Sequence, residues 1–180
     1  IVATGTLAYV GTLENGGAAE FRIYNITNPA SPALIGSLEI NADVNDIAVV
    51  ENFAYLATSG ASAELQVVNI SNSALPTSAG TYDSSGGEDG LSVFATSTTV
   101  FLGTAGGTGA EFEILNASNP SAITSIGSFE EGDNVNDIAI VGATAYLATN
   151  DNAAELRILN IANYASPSSA GTFNDGGNEN

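Results

Sequence analysis

The sequence predicts an all-β fold made of four copies of one four-stranded antiparallel unit. Three observations carry that expectation. An aromatic motif recurs along the chain: Tyr9 in LAYVGT, Tyr55 in FAYLAT, Phe101 in TVFLGT and Tyr146 in TAYLAT. The intervals are 46, 46 and 45 residues, a period that belongs to solenoids, propellers or arrays. Each copy divides into short runs rich in β-branched and aromatic residues, separated by Gly, Ser, Asn and Pro. No stretch of roughly 10–12 residues carries a helical period.

The elements follow in order within a copy. In the second copy the expected strands are VNDIAVV, FAYLAT, ELQVVNI and TSAGTYD, with turns SGAS, SNSALP and SSGGEDG around them. The first is apolar on both faces, Ile47 and Val49 against Ala48 and Val50, so it is expected to be buried on both. It returns almost unchanged as VNDIAIV at 135–141. The third strand recurs as AEFRIYNI (19–26), AELQVVNI (63–70), AEFEILNA (110–117) and AELRILNI (154–161). A closing marker follows in each copy: PALIGSLEI, LPTSAGTYD, AITSIGSFE and PSSAGTFND. The repeats run approximately over 1–43, 44–89, 90–134 and 135–180. A four-stranded unit of this length is the blade of a β-propeller, which buries its faces only against neighbouring blades. The aromatics Tyr9, Tyr55, Phe101 and Tyr146, with Ile23, Val67, Ile114 and Ile158, are expected to form equivalent buried layers.

The residues FRIYNITNPASPALIGSLEI followed by VNDIAVVENFAYLAT resemble the LVIVD repeat, a propeller-type repeat of bacterial and archaeal surface proteins. The resemblance rests on the third-strand motif, the turn after it and the AYL strand, and extends over all four copies. It departs in two respects. Asn25, Asn69, Asn116 and Asn160 stand where the family usually carries Asp, and the third copy has GLSVFAT for VNDIAVV. The resemblance implies blade architecture and a surface location, and no defined activity.

Composition narrows function further. Twenty acids face two bases, Arg22 and Arg157, giving a net charge of −18, which opposes nucleic acid and anionic membrane surfaces as partners. No apolar run approaches the roughly 20 residues of a membrane helix. Hydrophobic residues make up 44%, enough to fold despite the charge. With no Cys and no His, thiolate chemistry, disulfides and the commonest general base are all missing. The Gly, Ala, Ser, Thr and Asn that dominate the remainder suit an extracellular or cell-surface protein.

Several residues are candidate sites. Asp46 and Asp137 recur in the first strand, with Ser92 in the third copy; they read either as a carboxylate ring near a channel or as caps on backbone N–H groups. Capping is favoured, because a catalytic residue needs one copy only. Glu20, Glu64, Glu111 and Glu155 precede the third strands and are expected to pair with Arg22 or Arg157, or to keep an outer edge soluble. The acidic loops at 86–90, 129–134, 149–155 and 174–180 offer oxygen ligands to Ca²⁺ without a recognised calcium spacing. GTAGGTGAE (103–111) joins two strands and lacks a P-loop lysine, so it makes no nucleotide cradle. Asn25, Asn69 and Asn116 head N-glycosylation sequons in register, and Asn160 lacks the hydroxyl partner.

Ile1 aligns with Ile47 and Ile138, and the tail at 176–180 stops where a further VND would begin. Three arrangements fit: a closed disc, part of a larger propeller, or a unit that docks end to end with copies of itself. The expected function is therefore a non-enzymatic structural or adhesive scaffold of the cell surface, the self-assembling subunit of a fibre or layer. Its expected partners are copies of itself, with surface glycans or proteins beside them, and no cofactor except Ca²⁺ is in view. The alternative is a closed propeller holding a glycan, peptide or calcium on one face.

Overall fold

The computed structural model describes residues 1–60, 63–84, 86–174 and 176. Its elements are sixteen strands in four separate four-stranded sheets, each in simple sequence order. Blade 1 holds β1 (Val2–Thr4), β2 (Leu7–Gly11), β3 (Phe21–Asn25) and β4 (Ala33–Leu38). Blade 2 holds β5 (Asp43–Val50), β6 (Phe53–Ser59), β7 (Leu65–Asn69) and β8 (Thr77–Tyr82). Blade 3 holds β9 (Gly90–Ala95), β10 (Thr99–Thr104), β11 (Phe112–Asn116) and β12 (Thr124–Phe129). Blade 4 holds β13 (Val135–Val141), β14 (Thr144–Thr149), β15 (Leu156–Asn160) and β16 (Ser168–Phe173). All pairings within a blade are antiparallel. The expected strands of the second copy match β5 to β8 to within one or two residues.

Period-2 alternation gives each blade two apolar walls, because successive side chains of a strand point to opposite faces. One wall is built from Ile47, Ala54, Leu56, Val68 and Ile70 in blade 2. It packs on the opposite wall of blade 1, made by Tyr9, Phe21 and Ile23. The same joint recurs twice. Val93, Val100, Leu102, Leu115 and Ala117 of blade 3 meet Tyr55, Leu65 and Val67 of blade 2. Ile138, Ala145, Leu147, Leu159 and Ile161 of blade 4 meet Phe101, Phe112 and Ile114 of blade 3. The protein therefore has three cores, each lying between consecutive blades. This is how a sheet too small to bury itself becomes stable.

The first strands β5, β9 and β13 lie side by side on the inner side of the array. Substantial packing between blades runs from each one to the next, and among the described residues none runs between blade 4 and blade 1. The expectation of equivalent layers is corrected accordingly. Tyr9, Tyr55 and Phe101 are buried, whereas Tyr146 is 36% exposed and Ile158 is only half-buried. The second wall of blade 4 is uncovered among the described residues. The first strands are also less enclosed than expected: Ile47 is buried, but Ala48, Val49 and Val50 are half-buried, and Val141 of β13 is exposed.

Candidate assembly interface

Three polar devices and one glycine recur along the array, at the blade-to-blade joints or within the blades. The first lies on the inner strands. The Asp46 carboxylate accepts the N–H of Ile47 at 2.8 Å and, across the joint, the N–H of Val93 at 2.9 Å. Beside it the Asn45 amide donates to the Gly90 carbonyl at 2.7 Å. In the next joint the Ser92 hydroxyl donates to the Val135 carbonyl at 2.9 Å. Burial pushes the Asp46 carboxyl above its ordinary value, opposed by the two N–H groups it accepts. These aspartates cap backbone, as repetition suggested. Among the described residues Asp137 makes only the local bond to Ile138, and it is exposed.

The second device is a latch from the middle of the third strand to the end of the preceding blade. The Gln66 amide donates to the Ile40 carbonyl at 3.2 Å. Glu113 accepts the Tyr82 hydroxyl at 2.6 Å. Arg157 donates through Nε to both oxygens of Glu131 at 3.0 and 2.7 Å, and its terminal nitrogen lies 3.7 Å from Asp151. Burial raises the Glu113 carboxyl above the ordinary range, partly offset by the Tyr82 hydroxyl. Burial likewise raises Glu131 against the pull of Arg157. Arg22 stands at the corresponding place in blade 1 and has no ion pair among the described residues.

The third device closes each blade internally and corrects the outer-edge expectation for the repeated glutamates. Glu20, Glu64 and Glu111 are buried. Glu20 accepts the N–H groups of Ile40 and Asn41, Glu64 that of Ser84, and Glu111 those of Glu131 and Gly132. Each thus ties the start of a third strand to the segment leaving its blade. Burial would raise Glu20, but the N–H groups it accepts outweigh that and hold it below its ordinary value. Glu155, in blade 4, is half-buried.

The glycines at the register shift of the fourth strands, Gly36, Gly80 and Gly127, are required by close approach. A Cβ there would run into the carbonyl oxygen of Ser73, Pro120 or Tyr164, each in the loop between the third and fourth strands of the next blade. Gly171 is the equivalent in blade 4, and a Cβ there would meet only Ile158 Cδ1 of its own blade, at 3.9 Å. Sequence reasoning passed over these glycines, although one stands in every closing marker.

The remaining candidates have mainly structural partners. Asn25, Asn69, Asn116 and Asn160 end their third strands, and each accepts the N–H two residues on, at 2.9–3.0 Å. That Asx turn explains why Asn recurs in all four copies, including the one without a sequon. Asn25 and Asn116 are exposed and Asn69 is half-exposed. In the acidic loops, Glu88 accepts Thr108 N–H, Asp133 that of Asn134 and Asp151 that of Ala153. No three acidic side chains among the described residues gather to hold an ion, and most of the 174–180 loop lies outside the described residues. The 103–111 glycine stretch leads from β10 towards β11, strand to strand. No helix of the described residues is long and apolar enough to cross a membrane.

Repeated blades joined by recurrent apolar walls define a β-propeller-type repeat protein. The LVIVD repeat family matches residues 1–39, 42–84 and 132–175, more than half of the chain. The chain belongs to the LVIVD repeat family. The match passes over blade 3, whose GLSVFAT strand is the loosest copy. No curated protein matches the chain. Among solved structures, the computationally designed Ika8 protein is 11% identical with a TM-score of 0.68, over 96% of this chain and 47% of that one. This chain thus spans about half of Ika8. The designed Ika4 protein is 11% identical with a TM-score of 0.61, over 86% and 92%. A functionally unknown protein from Desulfotomaculum acetoxidans DSM 771 is 14% identical with a TM-score of 0.54, over 87% and 63%. At these identities the likeness is one of fold.

Proposed function

We infer that the protein is a non-enzymatic scaffold of the cell surface or extracellular space, built to join with copies of itself into a fibre or layer. One observation carries this reading: among the described residues the outer faces of blade 1 and blade 4 present exposed apolar side chains, Ile1 and Tyr146 among them. A head-to-tail contact between copies either closes a ring or lengthens into a row, and the lengthening case is a fibre or layer. The repeated side chains support it, since Asp46, Glu20, Glu64 and Glu111 are occupied in holding backbone and blades together. The surface location rests on composition and on the family resemblance. Adhesion to surface glycans or proteins would then follow from display of the blade rims.

The test is negative-stain electron microscopy of the purified chain across a concentration series. Filaments or sheets with a repeating axial step are expected. Separate particles at every concentration would overturn the reading and send the search to a ligand on one face.

A further inference from the structure

We propose that the outer wall of blade 4 is a socket for the outer wall of blade 1 of a second copy, so that the joint between molecules repeats the joint between blades. This rests on the scaffold reading and specifies its partner and register.

The two open walls are the two halves of a contact the chain already makes three times. Ile1, Ala8, Val10, Tyr24 and Ile26 occupy the positions of Ile47, Ala54, Leu56, Val68 and Ile70, the wall with which blade 2 packs on blade 1. With Pro32 they line an apolar groove of about 240 Å³, and Ile1 is 83% exposed. At the other end Tyr146, Leu156 and Ile158 occupy the positions of Tyr9, Phe21 and Ile23. A second copy therefore brings a wall whose shape is already matched, and the occupant needs no further invention.

Gly171 gives the second, independent argument. Gly36, Gly80 and Gly127 exist because a neighbouring blade's loop carbonyl touches them, yet among the described residues no loop carbonyl comes near Gly171, where a Cβ would meet only Ile158 Cδ1. In the inferred joint the missing carbonyl is that of Pro29, which aligns with Ser73, Pro120 and Tyr164. The inner-strand polar device also finds its partner. Asp137 meets the Ile1 backbone nitrogen as Asp46 meets that of Val93. The joint is head to tail, so it adds copies in one direction until the array either closes into a ring or runs on as a row.

The experiment uses two variants of the full chain. Gly171→Ala places a methyl where the partner's loop must sit and where its own chain leaves room. Val10→Glu puts a charge on the blade 1 wall. Analytical ultracentrifugation and microscopy follow each alone and then their equimolar mixture. Each variant is expected to keep the wild-type circular dichroism spectrum and to associate at least about tenfold more weakly than wild type. The mixture is expected to form a species of twice the 18.1 kDa chain mass and nothing longer, because each supplies the wall the other lacks. Wild-type filaments that Gly171→Ala leaves unchanged would overturn this joint while leaving the scaffold reading intact. A wild-type chain that stays monomeric would overturn both.

Discussion

Phe101 of blade 3 and Tyr146 of blade 4 hold the same place in the repeat but not the same environment. Phe101 is fully buried, stacked on Phe112 at 6.2 Å and met edge-on by Tyr164 of the next blade at 5.7 Å. Tyr146 is 36% exposed. The difference lies wholly in what comes next along the array. A repeat supplies identical walls, and a neighbour turns a wall into a core, so burial here is a property of joints.

Truncation tests the comparison most severely. Phe101→Ala and Tyr55→Ala should each cost about 3–5 kcal/mol, the usual range for removing a buried aromatic. Tyr146→Ala should cost about 1 kcal/mol or less in the monomer, since its ring keeps contact with solvent. Urea unfolding at a concentration where the protein is monomeric reads all three. A cost below about 1 kcal/mol at Tyr55 would undo the strand assignment, and equal costs at Phe101 and Tyr146 would mean that blade 4 has a neighbour.

The glycines give a smaller contrast in the same direction. Gly127→Ala must displace the Tyr164 carbonyl and should cost about 1–3 kcal/mol, the range for overpacking. Gly171→Ala, with Ile158 Cδ1 at 3.9 Å as its sole new contact, should fall within about 0.5 kcal/mol of wild type. Thermal melts of the two variants side by side settle it. Equal losses would show that the requirement for glycine arises inside the strand and not from the next blade.

The architecture was legible in the sequence because it depends on local pattern. Alternation in VNDIAVV and FAYLAT, the turn residues between them and the period of the aromatic motif suffice to place sixteen strands. What escaped depends on relations between copies. Glu20, Glu64 and Glu111 look like edge charges, because nothing local reveals that N–H groups some 20 residues away close over them. Tyr146 looks buried because its neighbours in sequence are those of Tyr55. The latch residues Gln66, Glu113 and Arg157 share no chemistry, so no motif marks their common position. Gly171 was visible in the closing marker, but its meaning needs the geometry of Gly127 beside it.

The smallest effect concerns the charges caught in the joints, and its sign is fixed. Burial raises the carboxyls of Asp46, Glu113 and Glu131 above their ordinary values, so the folded state binds protons that the unfolded chain releases. Stability contributed this way grows as pH falls from neutral towards the ordinary glutamate value of 4.5 and is lost again as pH rises through the folded values. Glu20 and Glu88 are lowered, and their contribution disappears only as pH drops below that ordinary value. The melting temperature should therefore climb as pH falls from 7 towards the ordinary carboxylate range, by roughly 2–4 °C for each kcal/mol regained, and turn down in stronger acid. Self-repulsion at a net charge of −18 acts in the same direction, so the wild-type curve alone does not assign the effect to the joints. Glu113→Gln does. It keeps an oxygen for the Tyr82 hydroxyl and removes the buried charge, so the melting temperature at pH 7 should rise and the slope from pH 7 towards the carboxylate range should shrink. An unchanged slope would place the acid response on the exposed surface and take Glu113 out of the account.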